Sequence, residues 1–210
     1  MVLHESSSRG FLTRVPHGLI MAVALVATVS AQQNRIDTVT PSAPELAAYG
    51  AQAIGVRTIQ VTDKGRPDIL NTKEGGPVAR YDRTLTLEVW YPASASDARA
   101  GGGEYRGVIT REPSIVVTLN GRAVRDAAPA AGPFPLVIIS HGYPGNRYLM
   151  SHLGENLASK GFVTVSIDHK DSTYDDQKAF GSTLYNRSFD QLFVLNEMAR
   201  LGAVEAVGRN

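Results

Sequence analysis

Phe134-Pro135-Leu136-Val137-Ile138-Ile139-Ser140, followed directly by His141-Gly142-Tyr143-Pro144-Gly145, is the stretch that decides the fold. The first seven residues are almost continuously apolar and rich in β-branched side chains. Continuous apolarity, unlike alternation, suits a strand buried on both faces, as in a parallel sheet. The glycine-containing segment after it reads as a tight loop. Leu149 to Lys160 then has helical spacing, with Leu149, Leu153, Leu157 and Ala158 sharing a face. Gly161 stands where a helix C-cap glycine belongs. Phe162 to Ile167 is a second buried strand. Strand, loop, helix, glycine and strand follow in about 35 residues, the size of a right-handed βαβ crossover.

Upstream, Ile54 to Thr62 is β-branched and partly alternating, and Lys64-Gly65-Arg66-Pro67 is expected to break it. Arg83 to Tyr91 is a clearer strand: Leu85, Leu87, Val89 and Tyr91 point one way, Thr84, Thr86, Glu88 and Trp90 the other. Pro92 is expected to end it. Ala93 to Gly103 reads as a surface loop, Ser114 to Asn120 as a short strand, and Arg122 to Gly132 as irregular chain. Downstream, His169 to Tyr185 reads as a long polar loop, with room for a short helical turn at Asp175 to Phe180. A second helix is expected from Ser188 to Leu201, capped by Ser188 with Gln191 and stopped at Gly202. The fold class is α/β: an antiparallel N-terminal part running into parallel βαβ units.

Lys and Arg number 21 against 20 Asp and Glu, so no basic stripe points to nucleic acid. The absence of cysteine excludes disulfides, thiolate metal sites and a cysteine nucleophile. Arg9 and Arg14 precede an apolar run, Gly18 to Val29, and Val29-Ser30-Ala31 suits cleavage before Gln32. Residues 1–31 are therefore read as a signal peptide, residues 32–44 as a polar linker and residues 45–210 as the folded part. The alternative is an uncleaved anchor, the one route to a membrane that the sequence offers. Either way the rest of the chain is exported.

Ligands in open α/β sheets bind beyond the carboxyl ends of the strands. Gly142 lets the backbone turn there and leaves the following amides free to face an anion. A tetrahedral ester intermediate carries such an anion, and preorganised N–H groups stabilise it. Tyr143 is the candidate donor, through its backbone N–H rather than its phenol. For His-Gly by itself, an ordinary glycine turn between strand and helix is the favoured explanation.

Pro135 to Gly142, Leu157-Ala158-Ser159-Lys160-Gly161-Phe162-Val163 and Ser166-Ile167-Asp168-His169-Lys170-Asp171 together resemble the α/β-hydrolase group of platelet-activating factor acetylhydrolases and dienelactone hydrolase-like proteins. Gly55-Val56-Arg57 and Glu88-Val89-Trp90-Tyr91-Pro92 add to the likeness. The resemblance implies hydrolysis of a short-chain carboxylic ester or a phospholipid acetyl ester through an acyl-serine, without metal or cofactor. It maps one oxyanion-hole amide onto Tyr143, with Gly142 forming the turn. The second amide would follow the nucleophilic serine.

That serine sits in G-x-S-x-G between a strand and a helix, and the chain has no such motif. Ser140 has Gly142 after it but Ile138 before it, and it lies on the oxyanion strand. The resemblance places the nucleophile strand after the second helix. The expectation is therefore an N-terminal portion of an α/β-hydrolase, inactive alone, with nucleophile, acid and base elsewhere. Asp168 and His169 are neighbours on a strand and point to opposite faces, so they do not form a dyad. His141 is read as stabilising the turn, His152 as solvated, and Asp171, Asp175 and Asp176 as a solvated loop without calcium-binding spacing. The rival class is a noncatalytic secreted binding module built on half the fold.

Overall fold

The computed structural model describes residues 34–94 and 102–207. The expected signal peptide and most of the Ala93 to Gly103 loop lie outside them. Five strands form the main sheet in the order β5-β1-β2-β7-β6. These are β1 (Ala53–Pro67), β2 (Arg80–Ala93), β5 (Val124–Arg125), β6 (Leu136–Ser140) and β7 (Val163–Asp168). β1, β2 and β7 are successively antiparallel, while β6 and β7 are parallel. β3 (Glu104–Ile109) and β4 (Val116–Asn120) make a separate antiparallel pair. Helix α1 (Ser151–Ser159) links β6 to β7, and α2 (Phe180–Val207) follows β7. The mixed sheet with a parallel unit is the α/β architecture expected.

The alternation in β2 divides the core. Leu85, Leu87, Val89 and Tyr91 pack with Val165, Ile167 and Val194 of α2. Trp90, on the other face, packs with Val56, Tyr105, Tyr148 and Ala158 of α1. The helices therefore cover opposite faces of one sheet.

Four expectations need correction. Lys64 to Pro67 does not break β1, because the register shifts between Asp63 and Arg66 and Gly65, at φ +66°, absorbs the bulge. Pro92 does not end β2. It lies beyond Trp90, the last residue paired with β7, so the β7 ladder does not call on the N–H that proline lacks. The buried face of α1 is Ser151, Gly154, Glu155, Ala158 and Ser159, while Leu149 is 44% exposed. A ring at Trp90 fills the space over Gly154, and an ideal Cβ there would lie 2.6 Å from it. Finally, α2 begins at Phe180, so Ser188 is interior rather than a cap, and Gly202 does not stop the helix. The polarity that reads as loop is a buried seam: Ser182, Asn186, Asp190 and Val194, four residues apart, are each at most 2% exposed.

Candidate active site

The parallel pairing of β6 with β7 brings two loops together at the carboxyl ends of the strands. The Gly145 N–H donates to the Ser172 carbonyl at 3.1 Å, and the Tyr174 N–H to the Gly145 carbonyl at 3.1 Å. His141, 3% exposed, lies against Gly145, where an added Cβ would come within 2.6 Å of Nδ1. Glycine is thus required at 145 by the imidazole.

The tautomer of His141 follows from its partners. Nδ1 is 2.7 Å from the Gly142 carbonyl, which only accepts, so Nδ1 carries the proton. Nε2 then accepts the His169 N–H at 3.3 Å. Burial pushes the His141 pKa down to about 4, so the neutral form holds this arrangement. The turn-stabilising role expected of His141 is what the geometry gives.

Gly142 is exposed and Tyr143 half-buried. The Tyr143 phenol donates to the Lys178 carbonyl at 2.5 Å, and its ring meets Phe180 edge-on at 4.9 Å. The Tyr143 N–H has no hydrogen-bond partner among the described residues. Arg187 of α2 reaches over the turn and donates to the carbonyls of His141 and Gly142, the latter at 3.1 Å, and to Ser172 Oγ at 2.7 Å.

Below the turn sits a relay that sequence reading missed. Ser140 pairs with Ile167 in register, so Ser140 and His169 share the face covered by α2. Ser140 Oγ is 2.9 Å from His169 Nε2, and His169 Nδ1 is 3.0 Å from Asp190 Oδ2. Arg83 grips Asp190 with both nitrogen arms, at 2.8 and 2.9 Å, and also reaches Asp171 at 3.1 Å. Arg66 adds a contact to Asp190 at 3.3 Å. His169, Arg83 and Asp190 are each at most 1% exposed. Burial lowers the His169 pKa, against the pull of Asp190. Hydrogen bonds from His169 and Arg83 keep Asp190 ionised below the usual range, overcoming its desolvation. Asp171 is 6% exposed, so it belongs to this buried network, not to a solvated loop. The available signal was parity: Arg83 alternates in phase with Leu85 and Leu87, so it had to face the core and needed a buried acid.

Asp168 faces the other way, as expected. It accepts the Arg147 N–H at 2.6 Å and pairs with the Arg147 guanidinium, so Asp168 and His169 serve separate networks. His152 is exposed.

A cavity of about 840 Å³ opens at the opposite end of β6, between Phe134, Leu136, Val163, Tyr91, Leu195 and Met198. It is apolar and lies at the amino ends of the parallel strands, the end that does not carry chemistry in open α/β sheets. No cluster of three potential metal ligands occurs among the described residues, and none of their helices is long and apolar enough to cross a membrane.

Residues 108–188 match the family model for platelet-activating factor acetylhydrolase, isoform II. Over 60 residues the chain is 38% identical to platelet-activating factor acetylhydrolase of Cavia porcellus, covering 27% of this chain and 14% of that protein. Among solved structures, a ferulic acid esterase from Streptomyces cinnamoneus superposes with a TM-score of 0.53 at 24% identity, over 78% of this chain and 48% of that one. The chain thus spans about half of the solved relative and a smaller share of the curated one. The matched segment runs from β3 through the His-Gly turn, α1, β7 and the start of α2, and contains every contact just described around Tyr143. In fold, and in sequence over that segment, the chain is similar to the α/β-hydrolase group of platelet-activating factor acetylhydrolases and related esterases.

Proposed function

We propose that this chain supplies the oxyanion half of the active site of an exported serine ester hydrolase. The observation that carries the reading is the Tyr143 N–H, unpartnered among the described residues at the mouth of β6 while the carbonyls around it are tied back. Such a preorganised amide is what a tetrahedral acyl intermediate requires. The acetylhydrolase and esterase names of the relatives support a short-chain carboxylic ester or a phospholipid acetyl ester as substrate. The nucleophile, acid and base are assigned to residues outside this chain, in line with its lack of G-x-S-x-G.

A second reading makes Ser140 the nucleophile of a Ser140–His169–Asp190 triad, and two distances favour it. Against it, Ser140 ends an ordinary strand beneath α2, and Asp190 is committed to two arginines. A triad acid instead serves to stabilise the imidazolium that forms during turnover. Arg83 and Arg66 oppose that cation.

Hydrolysis of p-nitrophenyl acetate tests both. The 210-residue chain alone is expected to give no turnover above a heat-denatured control. The product of the whole reading frame containing it is expected to hydrolyse the ester. Replacing Tyr143 by its α-hydroxy acid, which exchanges N–H for an ester oxygen, should lower kcat roughly 100- to 1,000-fold. Unchanged kcat would remove the oxyanion assignment. Turnover by the chain alone, abolished by Ser140→Ala, would establish the second reading.

A further inference from the structure

The Gly142–Tyr143 peptide is trans, since the cis bond of this turn is Tyr143–Pro144. In a trans peptide the C=O and the following N–H lie in one plane and point in opposite directions. Whatever holds the Gly142 carbonyl therefore aims the Tyr143 N–H. Two groups hold it: His141 Nδ1 at 2.7 Å and Arg187 Nη2 at 3.1 Å. His141 is two residues away from Tyr143 on the turn itself, so it moves with the loop. Arg187 is anchored on a different element, seven residues into α2, and the helix is fixed in turn by Asp190 on Arg83 of β2.

We infer that Arg187 is a positioning residue that clamps the carbonyls of His141 and Gly142 so that the Tyr143 N–H is turned outward, away from α2, toward the place where an acyl oxygen gains charge. The inference rests on the ester-hydrolase reading for its catalytic consequence but not for its geometry. The residue type matters. A guanidinium presents several N–H donors in a rigid planar fork. Here one arm binds the His141 carbonyl and the other binds both the Gly142 carbonyl and Ser172 Oγ. Ser172 belongs to the loop after β7, so one side chain ties the turn after β6, the loop after β7 and α2 into a single unit. A lysine ammonium reaches one such site well but does not bridge all three.

The clamp also predicts which kinetic constant responds. A donor that meets charge developing in the transition state affects kcat, while substrate binding is largely spared. Misplacing a catalytic group by about 1 Å costs on the order of 100-fold in rate.

The test has two arms. In the 210-residue chain labelled with 15N-glycine and 15N-tyrosine, Arg187→Met is expected to shift the amide signals of Gly142 and Tyr143. The signal of Gly154, in α1 on the opposite face of the sheet, should stay in place. Unmoved Gly142 and Tyr143 signals would overturn the clamp. In the product of the whole reading frame, Arg187→Met is expected to lower kcat for p-nitrophenyl acetate about 100-fold, with KM within about threefold. Arg187→Lys should recover part of the loss. Wild-type kcat in Arg187→Met would overturn the catalytic consequence, and equal losses in Met and Lys variants with a raised KM would mark Arg187 as merely structural. If the wild-type protein hydrolyses no ester, the ester-hydrolase reading fails and the clamp is decided by the first arm.

Discussion

At the scale of single residues, the buried polar groups set the molecule's chemistry, and the relay under the turn is the densest of them. Asp190 receives two bonds from Arg83, one from Arg66 and one from His169. Removing one member of such a buried ionic set leaves the others uncompensated, which costs about 3–5 kcal/mol. Asp190→Asn is expected to lower stability by that order, read from urea unfolding at neutral pH. A loss below about 1 kcal/mol would mean the arginines find other partners. Ser140→Ala touches only the end of the relay. It should destabilise by about 1 kcal/mol, the worth of one side-chain hydrogen bond, and leave ester hydrolysis by the whole-frame protein unchanged. This split between stability and activity separates a structural relay from a nucleophile. None of these partnerships was legible beforehand, because Arg83, His169 and Asp190 are 107 residues apart at the extremes and no periodicity links them. What was legible was local: His141 beside Gly142, and an amide after it.

At the scale of elements, the strands were readable because their burial alternates or runs continuously, and β6, β7 and β2 lie close to their expected positions. The helices were harder for a definite reason. Both bury polar or small residues against the sheet, so hydropathy spacing misplaced the face of α1 and the start of α2. In α1 the buried carboxylate of Glu155 is satisfied by the Tyr105 hydroxyl at 2.6 Å and the N–H groups of Arg122 and Ala123 at 2.9 and 3.0 Å. In α2 the seam of Ser182, Asn186 and Asp190 hides the start of the helix. Two glycines measure the difference between packed and open helix surface. Gly154→Ala forces a methyl to 2.6 Å from the Trp90 ring, which is fully buried and bonded to the Tyr105 hydroxyl at 2.8 Å. Overpacking of this kind costs about 1–3 kcal/mol, more than the ~1 kcal/mol gained in helix propensity. Gly202→Ala, whose Cβ meets nothing within 4 Å, should stabilise instead. Thermal unfolding of both variants checks the pair, and a higher Tm for Gly154→Ala would show that the Trp90 contact is loose.

At the scale of the whole molecule, the two core histidines make stability depend on pH, and the sign can be worked out. Burial holds His141 near a pKa of about 4, below the ordinary histidine value of 6.5 that the unfolded chain is expected to show. The unfolded state therefore binds more protons between those two values, so stability rises with pH across that window. It is fully present above about pH 6.5 and declines as pH falls towards about 4. Integrating the linkage for His141 gives a loss of about 2 kcal/mol by pH 5. His169, lowered by the same burial, adds in the same direction. Protonating His141 would place an N–H of Nε2 against the His169 N–H and add charge near Arg187, which accounts for the direction physically. Asp190, with its pKa lowered, loses its contribution only below the ordinary carboxylate range, outside the window. Asp168 is raised by burial and works in the opposite sense at the acid end. Comparison with a variant isolates His141 from these neighbours. Urea midpoints at pH 7.5 and pH 5 should fall for the wild-type chain, and His141→Asn should show a smaller fall, short by about 2 kcal/mol. Because the same protonation takes away the acceptor of the His169 N–H and charges the imidazole that holds the Gly142 carbonyl, the Tyr143 amide signal should move over the same pH range. An equal pH dependence in both proteins would mean that the imidazole at the turn is hydrated and titrates as it does in the unfolded chain.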